Sequence, residues 1–216
     1  LNAKGKVAIP GMVDAHTHTV QQFLRGSVVD ERPIVWIRIL VPFEEKLNEQ
    51  DRYHEARLAC LQMIKAGITT FADSGTGDMI PVIQATQEMG LRASITRMTR
   101  DGVEFIPSIF KSSAEVAVKK NIELYEQCHG SGDGKINIWF SVTSPMTTSP
   151  KLATLVAEAA REYNTGIHIH LSNNWSVKQE VYTDDFKFKN NFLQLLNNAL
   201  KLTHNGEIHF GMEKTD

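Results

Sequence analysis

The chain has 216 residues, 42% hydrophobic and 22% charged, the make-up of an ordinary folded domain and not of a disordered one. With 23 basic and 25 acidic residues the formal charge is -2, which leaves no electrostatic footprint for nucleic acid or an anionic membrane and favours a small-molecule ligand. No apolar run reaches the roughly 18 residues of a membrane span and the opening LNAKGKVAIPG lacks the apolar core of a signal peptide, so a cytoplasmic protein is expected.

The first element is the apolar run IPGMVDAHTHT, Ile9 to Thr19, which reads as a buried strand ending in two histidines. Residues i and i+2 of a strand share a face, so His16 and His18 can reach one ion while Thr17 faces away. The same pair could equally be two polar residues closing a strand. A loop follows through VQQFLRGSVVDERP, then a helix from Ile34 to Leu47. NEQDRYHEARLACLQMIKAG is a second helix, with Leu58, Cys60, Leu61, Met63 and Ile64 near helical spacing and Gly67 as its stop. ITTFADS, rich in β-branched residues, reads as the next strand.

The alternation continues with a helix from Met79 to Met89 closed by Gly90, a strand LRASITR, and a helix starting at Ser112, where Ser112 and Glu115 have capping-box spacing. KINIWFSV is a strand, TSPKLATLVAEAAREYN a helix with Ser149 as N-cap and Pro150 in its first turn, and GIHIHLS a further strand. The glycines of GSGDGK lead into a strand and not a helix, which makes that stretch a connecting loop and not a phosphate cradle. Residues 176–216 depart from the pattern, offering one helix from Asn191 to Leu202, a turn at Asn205-Gly206 and a short strand EIHF. Cys60 and Cys128 lie in helical segments and are expected to pack as small apolar side chains, with a disulfide as the alternative.

Strands alternating with helices imply a parallel sheet, either open and doubly wound or closed as a barrel. Ligands bind at the carboxyl ends of such strands, so the second His-x-His, His168 and His170, can converge on the first. Of the second pair, His170 is the expected ligand, and His168 is expected to face the helix layer. Three imidazoles suit one divalent cation, Zn²⁺ foremost and Fe²⁺ as the alternative.

The ordered stretches AKGKVAIPGMVDAHTHTVQQFLRG, VPFEEKL, AGITTFAD, TSPMTTSPKLA and GIHIHLS resemble the amidohydrolase superfamily, in its deaminase and triazine-hydrolase (chlorohydrolase) branch. The resemblance implies a TIM-type (β/α)8 barrel. Here it is expected to be incomplete, with five to six β/α units in residues 1–175 and the atypical segment 176–216 in the same domain. It implies His16 and His18 as strand-one metal ligands, His170 as the strand-five ligand, and Glu44, Arg97 and Thr143 at substrate-binding positions. Asp73 and Trp36 are expected to be structural.

The function so implied is a metal-dependent hydrolase of C–N bonds other than peptide bonds, deaminating a purine, pyrimidine or related ring by metal-activated water. One departure counts against it: Asn173 stands where the family has a glutamate that shuttles protons. An amide cannot exchange a proton near neutral pH, a loss on the order of 10²–10⁴ in rate. Nor does any stretch match the strand-six histidine or strand-eight aspartate of the family. The competing function is therefore a catalytically inactive or truncated homologue acting as a binding or assembly module. Open sheet edges favour a homodimer in either case.

Overall fold

The structure, a computed structural model, describes residues 4–29, 31, 35–101 and 112–170. Strand β1 (Met12–Thr17) pairs in parallel with β2 (Ile68–Asp73), β2 with β3 (Arg92–Ile95), and β3 with β4 (Ile136–Ile138). After Trp139 the chain resumes as β5 (Phe140–Val142), parallel to β6 (Ile167–Ile169). The stretch expected as one strand is thus two short ones. At Trp139 the ladder changes neighbour: the Trp139 N–H donates to Ile95 O at 3.0 Å, and the next N–H, of Phe140, donates to Gly166 O at 2.9 Å. Among the described residues the strands form two sheets, β1-β2-β3-β4 and β5-β6, and within each the neighbours follow chain order with no reversal, which is the order of a barrel arc and removes the doubly wound alternative.

Helices cover the outer face. A short helix α1 (Val41–Lys46) continues a turn of π-helix at Trp36–Leu40, in the stretch expected to be helical. In α2 (Glu49–Lys65) the Asn48 side chain accepts from Asp51 N–H at 2.9 Å and Asp51 returns the bond to Asn48 N–H at 3.1 Å, a full capping box. That helix stops at Gly67, whose φ of +78° a residue with a Cβ rarely adopts. Next come α3 (Ile80–Met89) and α4 (Ala114–Cys128). The cap of α4 is Ser113, one residue later than expected, because the Ser112 hydroxyl donates instead to Arg100 O at 3.2 Å. One tight turn α5 (Ser131–Gly134) and a long helix α6 (Pro150–Glu162), capped by Ser149 as foreseen, complete the described α-helices.

Periodicity explains the packing. Leu152, Val156, Ala159 and Ala160 put one face of α6 against Phe140 and Val142 of β5. Phe71, Ile95, Ile136 and Ile138 do the same from β2, β3 and β4 against Cys60 and Met63 of α2 and Val82 of α3. Burying each large side chain contributes roughly 1.5–3 kcal/mol, which is what holds the strand ends in place. Cys60 and Cys128 are both buried free thiols, as expected. Among the described residues no helix is long and apolar enough to cross a membrane. Residues 176–216, with the expected helix and short strand, lie outside the described residues, as does Asn173.

Candidate metal centre

The loop expected after β1 begins instead with a 3-10 helix at Thr19–Leu24, and its supports explain why. Two buried carboxylates hold it. Asp73, 1% exposed at the end of β2, accepts from the Thr19 hydroxyl at 2.5 Å and the Thr19 N–H at 3.3 Å, besides the Gly75 N–H at 2.8 Å. Glu55, fully buried on α2, accepts from the Gln22 N–H. Such acceptors satisfy the helix's first amides from outside, which sequence pattern could not reveal. Asp73 is accordingly structural, as expected. Burial pushes its carboxyl up, against the pull of these hydrogen bonds.

Register then brings the histidines together. Thr17 pairs with Asp73 across β1 and β2, so His18 and Ser74 emerge side by side. The Ser74 Oγ lies 2.8 Å from Nε2 and 3.1 Å from Nδ1 of His18. On the other side β6 delivers His168 within the strand and His170 just beyond it. His18 Nε2 is 3.1 Å from His170 Nε2. The donor atoms of His16, His18 and His170 all lie within 4.8 Å of one another.

His168 does not face the helix layer. Its Nε2 is 3.0 Å from His16 Nδ1, so the sequence expectation for this residue is corrected. The reason is the same two-residue period that joins His16 to His18: His168 and His170 leave β6 on one face.

This donor set fits a divalent cation. His170 Nδ1 faces the Thr143 carbonyl oxygen at 3.0 Å, so that nitrogen carries the proton and Nε2 presents a lone pair. Tetrahedral ligation at about 2.0–2.1 Å sets nitrogens roughly 3.3 Å apart, close to the observed His18–His170 separation. His18 and His170 are also held in the neutral, ligating form. Burial first, then the neighbouring imidazoles, lowers His18 to about 3, and the same two causes lower His168 to about 4; burial chiefly lowers His170 as well.

Beside the histidines is a cavity of about 180 Å³ lined by Gln21, Trp36, Glu44 and Thr143 together with His18 and His170. Glu44 is 6% exposed and not a solvated helix charge. Its Oε1 accepts from Gln21 Nε2 at 2.6 Å, and burial, partly offset by Gln21, Arg100 and Arg52, pushes its carboxyl up to about 7. Gln21 carried no sequence signal, since only the 3-10 turn aims it at Glu44. Trp36 lines the same space, and its buried indole N–H has no hydrogen-bond partner among the described residues.

Thr143 donates its hydroxyl to Thr99 O at 2.8 Å, so its carbonyl, bonded to His170, is its link to the centre. Arg97 lies in an adjoining cavity of about 330 Å³ that also touches Glu44, Arg52, Arg100 and Lys120. Its guanidinium donates to the Gly77 carbonyl, and it is thus anchored by backbone while facing a cationic space.

The model of the Amidohydrolase family matches residues 7–214. A 5'-deoxyadenosine deaminase from Methanobrevibacter smithii is 37% identical over 173 residues, 80% of this chain and 38% of that protein. A 5-methylthioadenosine/S-adenosylhomocysteine deaminase from Halothermothrix orenii is 34% identical over 182 residues, 84% of this chain and 40% of that protein. The chain therefore spans about two fifths of the length of these curated relatives. Among solved structures, an adenosine deaminase from Xanthomonas campestris with bound zinc is similar with a TM-score of 0.71 at 23% identity, covering 88% of this chain and 42% of that one. That likeness is one of fold.

Proposed function

The chain belongs to the amidohydrolase family, and on that premise we propose that it supplies the strand-one and strand-five ligands of a divalent-metal centre in a hydrolase that deaminates a purine-type ring. The observation that carries this reading is the convergence of His16 and His18, on and just after β1, and His170, just after β6, on one point. A set of three imidazoles favours zinc over iron. A cation held there supplies Lewis-acid polarisation of water for attack at the ring carbon bearing the amino group.

The protein's own groups orient and accept. Thr143 fixes the tautomer of His170 through its carbonyl, and Asp73 holds the turn that follows His18. Glu44 and Arg97 bind the substrate, joined by Thr143. With Oε1 taken by Gln21, Glu44 Oε2 is left for a substrate hydroxyl or amino group, and a carboxyl near 7 exchanges protons at neutral pH, which Asn173 cannot. Val7, Ile9, Met12 and Val13 are exposed on and before β1, which has a strand on one side only among the described residues; this supports a homodimer.

Expression with added zinc followed by elemental analysis and an ammonia-release assay tests the reading. The substrates are adenosine, 5'-deoxyadenosine, 5-methylthioadenosine and S-adenosylhomocysteine. Zinc near one equivalent with ammonia release from at least one nucleoside is expected. Zinc below about a tenth of an equivalent overturns it. Bound zinc without ammonia release favours the binding module, a reading that Asn173 supports.

A further inference from the structure

We propose that His168 is a positioning residue that fixes the ring and tautomer of His16, a role that rests on the metal-centre reading above. His170 has an outer partner in the Thr143 carbonyl, which meets its Nδ1, and the Ser74 hydroxyl lies beside the His18 ring, 3.1 Å from Nδ1 and 2.8 Å from Nε2. For His16 the partner is an imidazole, with Nδ1 of His16 and Nε2 of His168 3.0 Å apart. Two imidazole nitrogens at that distance bond only when one carries a proton and the other a lone pair. With Nε2 of His16 turned to a cation, its proton must sit on Nδ1 and be donated to His168 Nε2. His168 then carries its own proton on Nδ1, so the two tautomers set one another.

His168 is not a fourth ligand in this arrangement. The donors that lie within 4.8 Å of one another belong to His16, His18 and His170. The His168 ring is nearer to His16, at 5.2 Å between centroids, than to His170, at 6.1 Å. Outer partners of this kind orient a ligating histidine and raise its basicity, and their removal weakens metal binding by roughly 10- to 100-fold.

Zinc affinity of the full chain, measured by competition with a chromophoric chelator, tests this with parent, His168→Phe, His168→Gln and His16→Ala. His168→Phe is expected to bind zinc about 10- to 100-fold more weakly. His168→Gln, whose amide oxygen accepts near the place of Nε2, is expected to recover most of that loss. In nitrogen-15 histidine spectra of the zinc-loaded parent, His16 should carry its proton on Nδ1, with that proton exchanging faster in His168→Phe. If His168→Phe binds as tightly as the parent while His16→Ala does not bind, the role of His168 is overturned and the metal reading stands. A parent chain that takes up no zinc overturns both.

Discussion

Nε2 of His18 and Nε2 of His170 stand 3.1 Å apart although 152 positions separate them in the chain. Two lone-pair nitrogens that close repel unless a cation or a shared proton lies between them. Burial and neighbouring rings hold His18 far below the ordinary imidazole range, so its ring is neutral and has one lone pair to offer a cation.

Replacing a ligand should therefore cost metal and leave the scaffold in place. His18→Ala and His170→Ala are each expected to weaken zinc binding by at least about a hundredfold, more than loss of an outer partner does. The exposed His54→Ala on α2 should bind as the parent does. Chelator competition, with circular dichroism to verify folding, reads both outcomes.

Glu44 predicts a pH dependence of stability. Its carboxyl ordinarily titrates at 4.5 and is raised to about 7 in the fold. Between these values the folded state holds a proton that the unfolded state has released. The Glu44 contribution to stability therefore falls as pH rises through this window. Glu44→Gln keeps an oxygen for the Gln21 amide and removes the titration. The variant should gain on the parent by up to roughly 3 kcal/mol between pH 4.5 and pH 8. Urea unfolding of both proteins at the two pH values gives the difference, and a pH-independent gap between them would contradict the burial argument.

Asp73→Asn changes one atom and should still be costly. The carboxylate accepts from the Thr19 hydroxyl, the Thr19 N–H and the Gly75 N–H. An amide NH₂ in its place turns a donor toward a donor, leaving a buried group unpaired at about 1–3 kcal/mol. Denaturant unfolding should show that loss, and zinc affinity should fall with it, because the turn after His18 loses its anchor.

Gly75→Ala tests the close packing behind the centre. Gly75 has φ +79°, and a Cβ there would sit 2.1 Å from the Thr96 carbonyl oxygen, a backbone atom that cannot swing away. Left-handed strain of about 1–2 kcal/mol adds to an overpacking cost of about 1–3 kcal/mol. A melting temperature unchanged from the parent would show that the β2 end is looser than this geometry requires.

Much of the frame was legible in advance because its signals are local. Ser149 and Gly67 announce helix ends through their own hydrogen bonds and dihedrals. Misplaced features had a competing partner elsewhere in the chain. Ser112 lost the cap of α4 to Ser113 because the Arg100 carbonyl claims its hydroxyl, and Thr19–Leu24 is helical because Glu55 and Asp73 accept its amide protons.

The sequence by itself determined the alternation of strands and helices and which histidines end strands, since each depends on residues within a few positions of one another, and the order of its motifs pointed to the family. Only the tertiary structure decided that His168 meets His16, that Glu44 is buried against Gln21, and that Trp36 lines the cavity beside His18 and His170. Those relations join β1 to β6 and the first turn to α1. Strand register and helix packing set them, and no local propensity encodes which distant side chain will take the facing position.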